Sequence, residues 1–160
     1  MRLGLFDSGI GGFTVLKKVV EKCPNTSFVY LADTARLPYG SKKPDEIRQI
    51  AEEISSWFSS QKIDAFLVAC NTTNAIALDV IKNKLDVPVF DLIESASVTI
   101  QDSKVGVIAT PSTVKTRAYT NAILNTKPET FVIEQSCPKF VPMIEMNRIN
   151  SAEITDVAIG

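Results

Sequence analysis

The chain has 160 residues, of which 45% are hydrophobic and 22% charged, a balance typical of a globular protein with a sizeable core. The net charge is −1 and the basic residues are scattered, so neither a nucleic acid nor a membrane is expected as a partner. The N-terminus reaches Asp7 after a short apolar run, unlike a signal peptide, and no stretch approaches the ~18 apolar residues of a membrane span.

Three cysteines and the absence of histidine limit the chemistry that the chain can perform. Cys23, Cys70 and Cys137 are widely spaced and odd in number, which argues against a disulfide framework and predicts a reducing cytoplasm. Without histidine, these residues can build neither a Ser-His-Asp nor a Cys-His nucleophile system, and no metal site is expected. Acid–base chemistry is therefore left to Cys, Asp, Glu, Lys or Tyr.

Short apolar runs alternate with amphipathic segments along the chain. Strands are predicted, in chain order, at residues 2–6, 27–32, 64–69, 87–92, 104–110 and 130–135. Helical spacing or composition predicts helices over residues 11–22, 44–60, 72–84, 93–102, 112–125 and 151–159. Because the strands are almost continuously apolar, both faces of their sheet should be covered, which favours a doubly wound parallel α/β fold.

A weak internal repeat indicates how the chain divides. The runs RLGLFDS at residues 2–8 and KVGVIAT at residues 104–110 share a basic start, a glycine and an apolar core. Many first strands look alike, so a match this short is equally compatible with no repeat. If the repeat is real, residues 1–96 form a first α/β domain and residues 97–160 the start of a second, incomplete one.

Polar residues follow several of the predicted strands at their carboxyl ends, where parallel α/β sheets bind ligands. The first strand is followed by Asp7 and Ser8, the second by Asp33-Thr34 and LPYGSK, the third by Cys70-Asn71-Thr72, and the fifth by Thr110 and PST. We therefore expect one cleft to be lined by Asp7, Ser8, Tyr39, Cys70, Asn71 and Thr110.

The stretch DSGIGG at residues 7–12 joins an acidic residue to a glycine-rich turn. Its glycines would let the backbone approach a ligand at the N-terminus of the following helix. Alternatively, the stretch is a tight turn in which Asp7 and Ser8 cap that helix. A phosphate loop of the actin and sugar-kinase type is a further alternative, but it predicts a matching loop in the other domain, and KVGVIATPST is poor in glycine.

Cys70 lies where a buried strand should give way to a helix. The helix dipole and free N–H groups there would favour the thiolate and lower the thiol pKa below its reference value of ~8.5. Asn71 and the threonines after it can donate to a carboxylate and accept from an ammonium group, as an amino-acid ligand requires. The alternative is an inert buried cysteine with Asn71 or Thr72 as the helix cap. As a ready base, Cys70 should react with a thiol reagent faster than Cys23.

Five ordered motifs between residues 4 and 145 together resemble the glutamate racemases of the aspartate/glutamate racemase family: GLFDSGIGGFTVL, ADTARLPYG, VACNTTNA, VIATPSTVKTRAY and CPKFVPMIE. The resemblance implies two similar α/β domains that face each other across a central cleft. It implies cofactor-independent interconversion of L- and D-glutamate by two-base proton transfer at the α-carbon. It also implies a cytoplasmic isomerase that supplies D-glutamate for peptidoglycan, and thus for cell-wall biogenesis and cell shape. The oligomeric state is left open, with a homodimer as one possibility.

The same resemblance assigns roles to individual residues. Cys70 matches the first catalytic cysteine, Asp7 the aspartate that assists it, and Glu145 an acidic residue near the second base. The implied substrate-binding residues are Ser8, Tyr39, Gly40, Asn71, Thr72, Thr110 and Thr113. The family's second cysteine lies in a GCTH motif that has no counterpart in this chain. We therefore expect this chain to be the N-terminal portion of a racemase and to be inactive by itself. The alternative is that it is a non-catalytic amino-acid-binding module.

Overall fold

The structure, a computed structural model, describes residues 1–148 and residue 155. Its strands are β1 (Arg2–Asp7), β2 (Ser27–Ala32), β3 (Ala65–Val68), β4 (Val89–Asp91), β5 (Lys104–Ala109) and β6 (Phe131–Ser136). Its α-helices are α1 (Gly12–Lys22), α2 (Pro44–Ser59), α3 (Asn71–Lys84), α4 (Leu92–Ser97), α5 (Pro111–Thr116), α6 (Ala118–Thr126) and α7 (Phe140–Glu145). Two short 3-10 helices, Thr34–Arg36 and Tyr39–Ser41, lie between β2 and α2. Among these described residues, no helix is long and apolar enough to cross a membrane.

The strands form two parallel sheets, one with the order β2-β1-β3-β4 and one that pairs β5 with β6. The predicted α/β fold with parallel strands is therefore confirmed. We call residues 2–91 the first unit and residues 104–145 the second unit, with α4 between them. The predicted domain boundary at residues 96–97 falls at the end of α4 and stays a prediction.

Helices cover both faces of the larger sheet. Side chains of β1 alternate, so that Leu3 and Leu5 pack with α1 whereas Phe6 packs in the cluster that contains the apolar face of α2. At Gly4 the strand passes close to its neighbours, since a Cβ there would lie 2.8 Å from Cδ2 of Phe66. Glycine at this position therefore leaves room for the side chains of Phe58 and Phe66 to pack against β1.

The predicted helices differ from the observed ones in the second half of the chain. The helix predicted over residues 93–102 is the shorter α4, and the one predicted over 112–125 is broken by Arg117, whose φ of 55° separates α5 from α6. The short helix α7 was not predicted, because it contains Pro142 and shows no extended apolar period. The helix predicted over 151–159 lies outside the described residues, apart from the helical residue 155.

One face of the smaller sheet is apolar and open. Ile108, Phe131 and Ile133 are each more than half exposed, and a Cβ placed on the neighbouring Gly106 would meet nothing within 4 Å. Exposed apolar surface of this kind usually marks an interaction surface.

Candidate active site

A cleft of about 380 Å³ opens at the carboxyl ends of β1 and β3 and is bounded on its other side by the second unit. Because β2 and β3 lie on opposite sides of β1, this is the point where the strand order switches, where ligands of parallel α/β proteins bind. Nine of the ten predicted site residues line the cleft: Asp7, Ser8, Tyr39, Gly40, Cys70, Asn71, Thr72, Thr110 and Glu145. The structure thus brings these residues together, while their chemical roles stay predictions.

Cys70 lies at the junction between β3 and α3 and is only 3% exposed. Its thiol donates to the hydroxyl oxygen of Ser8, with 3.4 Å between the two heavy atoms. The backbone around it is held by Asn74, whose side-chain amide donates to the carbonyl oxygens of Val68 and Cys70 at 2.7 and 3.1 Å. Asn74 lies inside the motif VACNTTNA, but its supporting role was not predicted from the sequence.

The protonation of Cys70 differs from the sequence-based prediction. Burial raises the pKa of the Cys70 thiol, the Asp7 carboxylate raises it further, and hydrogen bonds with Ser8 and Thr73 act in the opposite direction. The expectation of a lowered pKa at the helix start is therefore wrong, because desolvation and the Asp7 carboxylate outweigh the hydrogen bonds that favour the thiolate. The thiol is the resting form at neutral pH, and its thiolate, once formed, is a stronger base than an ordinary cysteine.

This environment reverses the predicted order of cysteine reactivity. We expect iodoacetamide to alkylate Cys70 at least about tenfold more slowly than the partly exposed Cys23 at about pH 7.5, since the thiolate is the reactive form. The Cys70 rate should keep rising with pH above ~8.5, because its pKa is raised above the usual thiol value. Mass spectrometry of the modified peptides across a pH series measures both rates. Faster labelling of Cys70 than of Cys23 at neutral pH would contradict this view of the site.

Two carboxylates occupy the glycine-rich turn that follows β1. The Asp7 carboxylate accepts a hydrogen bond from the Gly12 N–H at 2.7 Å, and the Glu145 carboxylate accepts one from the Ile10 N–H at 3.1 Å. A Cβ on Gly9 would lie 2.1 Å from Oε1 of Glu145, so glycine is required for this approach. Asp7 therefore does hold the start of α1, as one alternative predicted, whereas Ser8, the other cap of that alternative, accepts from the Cys70 thiol. In a phosphate loop these backbone N–H groups would donate to a phosphate. Here they donate to two carboxylates, which would also repel a phosphate, and this disfavours the phosphotransferase alternative.

Tyr39 and Gly40 lie in a loop whose position depends on buried polar contacts. The Tyr39 side chain is only 2% exposed and its hydroxyl donates to Asp33, which also accepts from Nε of Arg36. Burial and the Asp33 carboxylate raise the pKa of Tyr39, so the hydroxyl stays protonated and committed to Asp33. The Tyr39 proton is therefore not available to a ligand, which can contact the backbone, the ring or the hydroxyl oxygen of this residue. Arg36 is a supporting residue of this loop that the sequence analysis missed, although it lies in the motif ADTARLPYG.

Gly40 brings this loop against the second unit. A Cβ at Gly40 would lie 2.6 Å from Cβ of Thr110, and the Ser112 hydroxyl donates to the Gly40 carbonyl oxygen at 2.8 Å. No larger residue would allow the same approach between the loop and the start of α5.

Threonine hydroxyls join the two units beside the cleft. Oγ1 of Thr110 lies 3.1 Å from Oγ1 of Thr72 and 2.9 Å from Oγ1 of Thr113. Thr113, the tenth predicted site residue, is 1% exposed and lines a pocket beside the cleft rather than the cleft itself. Thr113 thus supports Thr72 and Thr110, and its predicted contact with a ligand stays a prediction.

Cys137 does not share the cleft with Cys70. It lines a neighbouring pocket of about 240 Å³, which contacts the cleft through shared residues such as Asn71 and Thr110. Within the part of the chain that the structure describes, no group of three or more His, Cys, Asp or Glu side chains is placed to hold a metal ion.

The fold and the cleft define a class: a parallel α/β protein whose switch point gathers a buried thiol, two carboxylates and several hydroxyl and amide groups around a small cavity. Such groups are suited to proton transfer on a small ligand. A family model described as Asp/Glu/Hydantoin racemase matches residues 7–158, and the chain belongs to that family.

Individual relatives agree with this assignment, and the resemblance inferred from the five motifs is confirmed. The glutamate racemase of Prochlorococcus marinus (strain NATL2A) is 78% identical over 160 residues, which cover 100% of this chain and 60% of the relative. That of Synechococcus sp. (strain CC9605) is 47% identical over 156 residues, covering 98% and 59%. The solved structure of glutamate racemase from Francisella tularensis subsp. tularensis SCHU S4 in complex with D-glutamate matches with a TM-score of 0.94 and 36% identity, covering 98% of this chain and 60% of that one. The chain thus spans about 60% of the length of these relatives.

Proposed function

We propose that the protein is a glutamate racemase, and that these residues supply its first α/β unit and one of its two acid–base groups. The observation that carries the proposal is the Cys70 thiol, buried beside the Asp7 carboxylate and 3.4 Å from the Ser8 hydroxyl in a cleft of amino-acid size. High identity to proteins named glutamate racemase supports the choice of glutamate.

The proposed reaction removes the α-proton of glutamate on one face and returns a proton on the other. The Cys70 thiolate takes the α-proton and becomes the thiol, the electron pair of the C–H bond moves into the carboxylate, and a donor on the opposite face protonates the planar carbon. Hydrogen-bond donors fixed around the carboxylate stabilise this carbanionic state more than the substrate. Ser8, Asn71 and Thr72 are the residues we assign to that task. No redox step or cofactor is part of the scheme.

The raised pKa of Cys70 fits this chemistry. The α-proton of an amino acid is weakly acidic, so a more basic thiolate removes it more readily, although the thiolate is rarer at neutral pH. We infer that the substrate offsets this scarcity. Its ammonium group, bound beside Asp7, would reduce the repulsion between the Asp7 carboxylate and the forming thiolate and so lower the Cys70 pKa.

The wider role follows from the same proposal. D-Glutamate made by the enzyme would supply peptidoglycan synthesis in the cytoplasm, and thereby cell-wall biogenesis and cell shape. The open apolar face formed by Ile108, Phe131 and Ile133 supports a larger second unit in the active enzyme, since a further layer packed there would bury it.

Exchange of the α-proton with solvent tests the proposal directly. The chain is incubated in deuterated water with D-glutamate, L-glutamate or D-aspartate, and loss of the α-proton signal is followed by NMR. We expect exchange with at least one glutamate enantiomer, about tenfold or more faster than with D-aspartate, because the longer side chain fills the cleft. Glutamate binding with no exchange would instead identify a non-catalytic amino-acid-binding module.

A further inference from the structure

Asn71 receives a hydrogen bond from the other unit. Tyr119, the second residue of α6, donates from its hydroxyl to Oδ1 of Asn71 at 2.6 Å. Asn71 is the first residue of α3, lines the cleft and is exposed to it. Tyr119 lies in the motif VIATPSTVKTRAY but was not predicted as a site residue. The contact therefore links the cleft wall of the first unit to a helix of the second.

In the observed orientation Tyr119 donates its hydroxyl proton to the Asn71 oxygen, which bears on the end of the amide that faces a ligand. An asparagine side chain carries one acceptor oxygen and two N–H donors, and a half-turn of the amide exchanges them. With Oδ1 held by Tyr119, the N–H groups remain as donors for the cleft. A reversed amide would turn its oxygen towards the cleft, where it would repel a carboxylate.

Tyr119 is itself held firmly enough for this task. The next residue, Thr120, donates from its backbone N–H to the Glu134 carboxylate of β6 at 3.0 Å, which fixes the first turn of α6 to the smaller sheet. Burial raises the pKa of Tyr119, and the Asp91 carboxylate raises it further, so the hydroxyl remains a donor at neutral and moderately alkaline pH.

We propose that Tyr119 is a positioning residue that fixes Asn71 as a hydrogen-bond donor and thereby makes the cleft selective for a carboxylate. The inference rests on the proposed function for its ligand, since glutamate carries the carboxylates to be recognised. Tyr119 acts through Asn71 and does not itself touch the ligand.

A double-mutant cycle measures this dependence. Affinity for D-glutamate is determined by calorimetry for the unmodified chain, Tyr119→Phe, Asn71→Ala and the double variant. We expect Tyr119→Phe to weaken binding about three- to tenfold, the range expected for one hydrogen bond, and to have less than about a twofold effect when Asn71 is already alanine. Thr126→Val, which removes an exposed hydroxyl from the same helix, is the control and should bind normally. Equal effects of Tyr119→Phe in both backgrounds would overturn the proposal.

A spectroscopic measurement separates this inference from the proposed function. The side-chain NH₂ signals of Asn71 in a ¹⁵N-labelled chain, assigned by their loss in Asn71→Ala, should shift in Tyr119→Phe and stay unchanged in Thr126→Val. If the chain does not bind D-glutamate, the proposed function fails, whereas these signals still decide the positioning role. Signals of Asn71 that do not respond to Tyr119→Phe would show that the hydroxyl does not orient the amide.

Asn71→Asp is a second test, because its side chain keeps an acceptor for Tyr119 but offers the ligand no donor. This variant should bind D-glutamate more weakly than Tyr119→Phe does.

Discussion

Replacing Cys70 with alanine is expected to slow exchange of the glutamate α-proton about 10²- to 10⁴-fold, the contribution typical of a positioned acid–base group. Among the described residues that line the cleft, Cys70 is the only thiol, and Cys137 lies in the neighbouring pocket. The carboxylates of Asp7 and Glu145 are oriented by backbone N–H groups of the glycine-rich turn, those of Gly12 and Ile10. NMR in deuterated water gives the exchange rate.

The matched control is Cys23→Ala, because Cys23 lies at the end of α1, outside the cleft lining, and should leave exchange unchanged. Binding of D-glutamate to Cys70→Ala should stay within about threefold of normal, since the carboxylate donors remain in place. Loss of one buried sulfur should cost on the order of 1 kcal/mol of stability, measurable by denaturant unfolding. Exchange at the normal rate in Cys70→Ala would remove the cysteine from the mechanism.

Net racemisation by the 160-residue chain should be at least about 10³-fold slower than its α-proton exchange, and this is the second large effect we expect. Cys70 can remove and return a proton on its own face, which exchanges hydrogen for deuterium and retains configuration. Inversion requires a donor on the opposite face, and the sequence contains no counterpart of the family's second cysteine motif. Circular dichroism of the recovered glutamate, read beside the NMR exchange rate, separates the two processes.

Glu145 provides the sharpest check on this expectation. It is the titratable group that the second unit contributes to the cleft lining among the described residues. If the chain racemises glutamate fully and Glu145→Gln abolishes this activity, then Glu145 is the second base and our assignment is wrong. If the activity is absent and returns when the C-terminal part of a related racemase is added, the second base lies in that part.

The sequence by itself determined the type and order of most elements. Apolar runs and helical spacing are local properties, so the strand predicted at residues 27–32 matches β2, and the helix predicted over 44–60 matches α2 to within one residue. The placement of Asp7, Cys70 and Thr110 at one cleft also followed from sequence, because each comes after a strand and parallel strands share one ligand-binding edge.

The tertiary structure alone decided how the site residues are held and what surrounds them. The local helix start argued for a lowered pKa of Cys70, but burial and the carboxylate of Asp7, at the end of another strand, reverse the direction. Tyr39 lines the cleft as expected, but only the structure shows that its hydroxyl donates to Asp33. Tyr119 was overlooked because its partner Asn71 lies 48 positions earlier in the chain. Desolvation and side-chain hydrogen bonds depend on which segments pack together, and periodicity within one segment carries no information about that.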